Sequence, residues 1–85
     1  MEHGHRNFVG PRIRRLRNAR NWTQEVLVAR CGVAGHDIAR GTLAKIEAGI
    51  RGVSDVELFV IAKVLGVKIE ELFPDSFAKY LKRGT

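Results

Sequence analysis

Two short helical segments in tandem are the feature that most constrains the fold of this chain. Thr23 and Gln24 begin the first segment, because a threonine hydroxyl favours the start of a helix. In the second segment Leu43 and Ile46 recur at helical spacing, and Gly49 ends the pattern. The pair therefore favours an all-helical domain in which two short helices lie side by side.

Similar signals predict five helices and no strand. The predicted ranges are residues 11–20, 24–31, 40–48, 54–65 and 69–73. Ser54 and Glu57 have the spacing of a capping box at the start of the fourth helix, and Gly66 follows its end. Pro74 ends the fifth helix because proline cannot continue one. The predicted fold class is all-α, a compact five-helix bundle.

Length and composition limit the cellular setting. A chain of 85 residues forms one domain with a small core, which a second copy would help to stabilise. The single cysteine, Cys31, excludes an internal disulfide and fits a reducing cytoplasm. No apolar run approaches the ~20 residues of a membrane helix, and residues 1–10 lack the apolar part of a secretion signal. We therefore expect a cytoplasmic protein without a membrane partner.

The positive charge lies in one half of the chain. The net charge is +6, from 15 basic and 9 acidic residues. Residues 1–51 hold ten basic and four acidic residues, whereas residues 52–85 hold five of each. The basic half contains the tandem helices, which favours a polyanionic partner such as a nucleic acid. Charge alone leaves open the alternative that the arginines form solvated helix faces.

Five sequence blocks together resemble a known family. The blocks are IRRLR at residues 13–17, WTQE at 22–25, TLAKIEAG at 42–49, IAKVLGV at 61–67 and EELF at 70–73. In this order they resemble the Cro/C1-type helix-turn-helix family, also called the XRE family, of bacterial and phage repressors. The resemblance spans about residues 9–73. It implies a lambda-repressor-like fold and a sequence-specific regulator, most simply a repressor, that binds double-stranded DNA as a homodimer on a palindromic operator.

The resemblance also implies which residues contact DNA. The predicted DNA-binding residues are Gln24, Arg40, Gly41, Thr42, Lys45, Arg51 and Arg6. Gln24 matches an amide that meets a phosphate at the start of the second helix. Arg40, Gly41 and Lys45 match positions where the third helix reaches base edges, and Arg40 is the best candidate for reading guanine. Thr42 matches a backbone contact, while Arg51 and Arg6 match or neighbour positions that grip phosphate.

Each of these residues also has a simpler interpretation. Gln24 is compatible with a surface helix former, and Lys45 with a solvated charge. Arg51 and Arg6 are compatible with solvated charges as well as with phosphate contacts. Glu47 fits a structural role better than a DNA contact, because it can pair with an arginine of the first helix.

The spacing between the motif helices departs from the family pattern. Thr23 and Thr42 are about five residues farther apart than in the commonest arrangement. The extra residues fall around 32–36, after Gly32, which we predict as the end of the second helix. Ile38 is predicted to fill the core, while His36 and Asp37 fit a solvated loop better than a DNA contact. The extra residues either lengthen the second helix or form a looser loop, and either change can alter the angle of the third helix.

The fourth helix carries more apolar residues than one core face needs. Its predicted core residues are Leu58, Phe59, Ile61, Ala62 and Leu65. A second stripe consists of Val56, Val60 and Val64. Two alternatives would shield this stripe from solvent: a second copy of the chain, or the tail residues Phe77, Tyr80 and Leu81 folding back over it. We predict that all six residues of the stripe and tail contribute to a dimer interface.

The chain divides into three predicted parts. Residues 1–8 are a flexible N-terminal arm, residues 9–73 the helix-turn-helix domain, and residues 74–85 a tail with a possible short helix at the dimer interface. No side-chain set at catalytic, metal-ligating or phosphate-loop spacing occurs. We therefore expect no enzyme activity, metal, cofactor or small-molecule ligand.

Two other functions remain open on the same fold. The first is a protein-interaction module of the antitoxin or adaptor kind, whose partner surface would be the valine stripe and the tail. The second is RNA binding, against which the predicted burial of Trp22 and Phe59 argues, because single-strand recognition needs exposed aromatic rings.

Overall fold

The computed structural model describes residues 6–82, and side chains as far as Tyr80. Within this range the chain is all-α and has no strand, which confirms the predicted fold class. The α-helices are α1 (Gly10–Ala19), α2 (Gln24–Val33), α3 (Arg40–Glu47), α4 (Asp55–Leu65) and α5 (Ala78–Lys82). Two 3₁₀ helices, Ile69–Leu72 and Asp75–Phe77, lie between α4 and α5. The predicted fifth helix is thus a 3₁₀ helix, and none of the helices in residues 6–82 is long and apolar enough to cross a membrane.

Side-chain oxygens accept hydrogen bonds from backbone N–H groups at the starts of several described helices. The Thr23 hydroxyl accepts a hydrogen bond from the backbone N–H of Val26 at 3.1 Å, as the sequence predicted. Ser54 and Glu57 form the predicted capping box at the start of α4. At the start of α1, the side chain of Asn7 accepts from two backbone N–H groups. These local bonds explain why the predicted starts of α2 and α4 agree with the structure.

A residue with positive φ follows each of the first four α-helices of the described chain. These residues are Asn21, Gly35, Gly49 and Gly66. Gly32, predicted to end α2, is wrong as the end point, because the helix continues to Val33. Gly35, with φ of 101°, provides the turn instead, and His36 donates its backbone N–H to the Cys31 carbonyl at 3.0 Å. The insertion therefore lengthens α2 and adds a loop before α3.

The core lies between the first four helices and the first 3₁₀ helix. Its buried residues are Val9, Ile13, Leu27, Cys31, Ile38, Leu43, Ile46, Ile61, Ala62, Leu65 and Leu72. Ile38 fills the core as predicted, although it lies on the lengthened loop. Cys31 is 1 % exposed, and burial raises the pKa of its thiol. This cysteine therefore acts as a small core hydrophobe.

The predicted burial of two aromatic residues is only partly correct. Trp22 is half-buried against the core, and the Arg30 guanidinium lies 4.2 Å from the centre of its ring. Phe59 is 54 % exposed, so its assignment to the core is wrong. One residue corresponds to about 100° around a helix, which turns Phe59 away from the core side occupied by Leu58 and Ala62. Because Phe59 is exposed, its predicted burial can no longer be used as an argument against RNA binding.

The third helix packs on α1 and α2 and leaves its other side open. Leu43 and Ile46 are fully buried, whereas Arg40 and Lys45 are exposed. Its C-terminal end meets the start of α1 so closely that a Cβ on Gly10 would overlap the Ile46 carbonyl. The fold thus fixes the inner side and the end of α3 while the outer side remains accessible.

Candidate nucleic-acid interface

The outer side of α3 brings together the residues predicted to read DNA bases, with Thr42 beside them. Arg40, Gly41 and Lys45 are exposed, and Thr42 is half-buried. A Cβ placed on Gly41 would meet no described atom within 4 Å. The lengthened turn therefore leaves α3 as an open helix with two cationic side chains, a shape that suits insertion into a groove.

Gln24 connects the start of α2 with both ends of α3. Its amide nitrogen donates to Glu47 Oε1 at 3.0 Å. Its amide oxygen accepts from Arg40 Nη1 at 3.2 Å. Because the amide nitrogen carries two hydrogens, a second one is available for an acceptor such as a phosphate. The structure thus brings Gln24 and Arg40 into direct contact across 16 residues of sequence.

Glu47 is the buried centre of this network. Arg17 Nε donates to Glu47 Oε2 at 2.7 Å, and Arg17 Nη2 donates to Glu47 Oε1 at 2.9 Å. The structural role expected for Glu47 is thereby seen directly, with an arginine of α1 as its partner. Burial alone would raise the pKa of the Glu47 carboxyl, but the hydrogen bonds from Arg17 and Gln24 outweigh it and hold that pKa below its usual value. The Glu47 carboxyl is therefore ionised, and both of its oxygens accept hydrogen bonds.

Two charged residues join this surface that the sequence did not single out. Arg14 Nε lies 3.5 Å from Glu47 Oε1, and the Arg14 side chain is 52 % exposed. Glu25 Oε2 lies 3.6 Å from Arg40 Nε. Glu25 directly follows Gln24, but its closeness to Arg40 depends on the path of the lengthened loop. The one sequence signal for a role of Glu25 in this surface is its position next to Gln24.

Arg51 is engaged by a carboxylate of α4. Its Nη1 and Nη2 donate to the two oxygens of Glu57 at 2.9 and 3.1 Å. The hydrogen bonds from Arg51 keep the pKa of the Glu57 carboxyl below its usual value. The Arg51 side chain is 39 % exposed, so a phosphate would have to share it with Glu57. A phosphate contact by Arg51 stays a prediction.

The last residues of the predicted flexible arm are attached to the domain. The Arg6 backbone N–H donates to the Gly49 carbonyl at 2.7 Å. The Asn7 side-chain nitrogen donates to the carbonyls of Ile46 and Arg51 at 3.1 and 2.7 Å. Arg6 is exposed and lies beside the end of α3, as a phosphate contact requires. Residues 1–5 lie outside the described residues.

The tail forms an aromatic cluster on the α1 side of the domain. The Phe77 ring lies 5.4 Å from Phe8, 5.4 Å from Phe73 and 5.6 Å from Tyr80, measured between ring centres. Arg12 holds the tail in place by donating to the Glu71 carbonyl at 3.1 Å and to an Asp75 carboxylate oxygen at 3.0 Å.

A largely apolar groove runs along this cluster. Its volume is about 620 Å³, and its lining includes Ile69, Phe73, Phe77 and Tyr80. Tyr80 is 61 % exposed, so the groove is open to a partner. We refer to it as the tail groove.

In the described residues, the tail packs beside α1 rather than over the valine stripe. Val56 is 51 % exposed, whereas Val60 and Val64 are half-buried against the core. The alternative in which the tail folds over the stripe is not seen for Phe77, which packs on Phe8 and Phe73 instead. The proposed interface residues thus fall on the tail groove and on α4. The predicted contact of Leu81 involves a side chain outside the described residues.

Comparison with known proteins agrees with this geometry. A family model described as helix-turn-helix matches residues 13–72. Among solved structures, the restriction-modification controller protein C.AhdI from Aeromonas hydrophila is 34 % identical and has a TM-score of 0.68. The match covers 76 % of this chain and 91 % of that chain. No curated protein matches the chain.

Proposed function

This chain belongs to the XRE family of helix-turn-helix DNA-binding transcription regulators, and from that premise we propose that it is a repressor that binds a palindromic operator as a homodimer. The observation that carries the proposal is the open outer side of α3, with Arg40 and Lys45 exposed above the buried Arg17–Glu47 pair. Repression then follows from occupancy, because a bound dimer blocks access to the promoter. A regulator of this kind works where the DNA is, and we place it in the cytoplasm.

Base recognition is assigned to the outer side of α3. Arg40 keeps most of its N–H groups free and can donate two hydrogen bonds to O6 and N7 of a guanine. Lys45 lies more than one turn farther along the helix and reaches a neighbouring base or phosphate. Gly41 allows the helix backbone to approach the groove closely, and Thr42 contacts the DNA backbone.

Phosphate contacts are assigned to the edges of the same surface. The second hydrogen of the Gln24 amide is available to donate to a phosphate at the start of α2, where the positive helix end also favours an anion. Arg6 and Arg51 lie beyond the other end of α3 and supply further positive charge. These contacts fix the position of α3 on the duplex without reading its sequence.

The dimer is assigned to the tail groove rather than to α4 alone. Ile69 and Tyr80 are large, partly or mostly exposed residues beside an open apolar groove, and a soluble monomer rarely leaves such a surface uncovered. Burial of the groove between two copies would also add to a core that is small for a lone domain. Two copies then present two α3 helices to half-sites about 34 Å apart.

A binding titration at several salt concentrations tests the proposal. With ~4 phosphate contacts in each subunit, the logarithm of affinity should fall with the logarithm of salt concentration at a slope near −7. Duplexes selected from a random-sequence library provide the specific probe, with a scrambled duplex of equal length as the control. A flat salt response, or equal affinity for both duplexes, contradicts sequence-specific DNA binding.

The similarity to C.AhdI suggests a first genomic probe. That protein is described as a restriction-modification controller, which supports a role of this kind for the present chain. DNA from upstream of restriction and modification genes is therefore the first fragment to use in a gel shift.

A protein-interaction module on the same fold is the second candidate. Among the described residues, Val56 and Phe59 leave an exposed apolar area on α4. In this case the chain would bind its protein partner with α4, and gel shifts would show no selected duplex. Size-exclusion chromatography measures the oligomeric state, and the salt titration measures DNA binding. Together they distinguish the two functions.

A further inference from the structure

We propose that Glu25 sets the sequence selectivity of Arg40 by lowering the attraction of this arginine for DNA of any sequence. The inference rests on the proposed function, because it concerns how the same α3 surface discriminates between duplexes. Glu25 is a carboxylate on a surface that should meet a polyanion, and this unexpected placement is the reason to assign it a role.

The contacts of Arg40 are directional. Gln24 Oε1 accepts from Arg40 Nη1 at 3.2 Å, and Glu25 Oε2 lies 3.6 Å from Arg40 Nε. A guanidinium carries five N–H donors, and among the described residues Gln24 takes one hydrogen of Nη1 while Glu25 lies at Nε, which leaves Nη2 and the second Nη1 hydrogen, here called the outer edge, available to other acceptors. That outer edge is the part that donates two parallel hydrogen bonds to guanine.

Glu25 supplies the negative charge in this arrangement. Gln24 is neutral, and Glu47 is already engaged by two hydrogen bonds from Arg17. Among the described residues, Glu25 is thus the carboxylate that forms an ion pair with Arg40. The two side chains are 53 % and 71 % exposed, so their pairing is weak and easily rearranged.

A weak counter-charge affects the two kinds of DNA binding differently. Non-specific binding depends on neutralising phosphates, and a carboxylate beside Arg40 offsets part of that positive charge. Guanine recognition depends on short hydrogen bonds from the outer edge, which Glu25 does not occupy. Glu25 should therefore reduce binding to random DNA more than binding to the operator.

A structural role for Glu25 gives a different expectation. An acidic residue in the first turn of α2 interacts favourably with the positive end of the helix. That role stabilises the fold to the same extent whether residue 40 is arginine or alanine. A second alternative, general repulsion of DNA by any nearby carboxylate, is likewise independent of Arg40.

The experiment is a double-mutant cycle of the wild type, Glu25→Gln, Arg40→Ala and the double variant. Affinity is measured at several salt concentrations for a duplex selected from a random-sequence library and for a scrambled duplex of equal length. We expect Glu25→Gln to increase affinity for the scrambled duplex about fivefold and to steepen its salt slope by about 0.9. Affinity for the selected duplex should change less than about twofold, and Glu25→Gln should have little effect in the Arg40→Ala background.

Several outcomes would overturn the inference alone. Equal gains on both duplexes, or the same gain with and without Arg40, would show that Glu25 acts as a general charge. Asp37→Asn is the matched control, since it removes an exposed negative charge outside the Arg40 pair. If this control alters selectivity as much as Glu25→Gln does, the inference also fails. A wild-type protein that binds neither duplex instead overturns the proposed function, and the inference with it.

Discussion

Arg17 on α1 and Glu47 at the end of α3 form a buried ion pair with two hydrogen bonds, of 2.7 and 2.9 Å. Arg17 is 9 % exposed and Glu47 is 2 % exposed. Arg17 also donates to the Trp22 carbonyl at 2.7 Å, so one guanidinium joins α1, the α1–α2 turn and α3. The orientation of the helix proposed to enter DNA therefore depends on this pair.

Removal of one partner of the pair should destabilise the domain strongly. Glu47→Gln leaves the Arg17 charge buried without a counter-ion, at a cost of about 3–5 kcal/mol in the free energy of unfolding. Asp75→Asn is the matched control, because it also removes one carboxylate from an arginine but Asp75 is 96 % exposed. A pair whose carboxylate is in solvent should contribute about 0–1 kcal/mol. Urea denaturation measures both values, and similar costs for the two variants would contradict a special role of the buried pair.

Acid should destabilise the fold within a definite pH range. Hydrogen bonds hold the pKa values of the Glu47 and Glu57 carboxyls below their usual values in the folded protein. Their contribution to stability is then complete above the unfolded glutamate pKa of about 4.3 and is lost as pH falls through the lower folded pKa values. We expect denaturation midpoints to change little from these groups between about pH 7 and 5 and to fall below about pH 4.

Glu57→Gln separates the two carboxyl groups in this measurement. The variant should be less stable than the wild type at neutral pH and should lose less stability in acid, because one of the two titrating groups is gone. An acid loss as large as that of the wild type would show that Glu57 does not contribute.

Local sequence signals predicted the helix starts but not every helix end. Thr23 and Ser54 cap their helices with bonds to residues three positions away, so the information lies within one turn. Gly32 and Gly35 are equally suitable as the residue that ends α2, because both are glycines. The path of the loop that follows determines which of them takes that role. The end of α2 was therefore misplaced although its start was correct.

Contacts between distant residues explain the other differences. The destination of the tail depends on the packing of Phe77 on Phe8, which are 69 positions apart, and no periodicity encodes that contact. The proximity of Glu25 to Arg40 depends in the same way on the lengthened loop. The exposed α3 residues and the pairing of Glu47 with an arginine of α1 were predictable, but the contacts of Arg40 with Gln24 and Glu25 were not.

Gly41→Ala should separate stability from DNA binding. The position lies in the first turn of α3 and has open space around it, so alanine fits and should stabilise the helix by up to about 1 kcal/mol. If the α3 backbone approaches DNA closely here, the added methyl group should weaken binding to the selected duplex. Thermal unfolding and a binding titration on the same sample measure both effects. Unchanged affinity would remove Gly41 from the proposed interface.

Tyr80→Glu should convert the proposed dimer into a monomer. The side chain is 61 % exposed at the tail groove, so glutamate should be tolerated by the fold while it introduces a charge into the interface. Size-exclusion chromatography measures the oligomeric state, and the loss of paired binding should lower operator affinity by at least about tenfold. Val56→Ser tests the α4 surface in parallel. A dimer that survives Tyr80→Glu but not Val56→Ser would move the interface to α4.

Arg40→Ala tests the central assignment on α3. Loss of two hydrogen bonds to a guanine should weaken binding to the selected duplex by ~1–3 kcal/mol, with a smaller loss on a scrambled duplex. Arg15→Ala is the matched control, since Arg15 is an exposed arginine on α1 outside the predicted interface. Relaxed preference at one base-pair position of the operator should accompany the loss for Arg40→Ala only. An equal loss on both duplexes would place Arg40 among the phosphate contacts, and base recognition would then depend on Lys45.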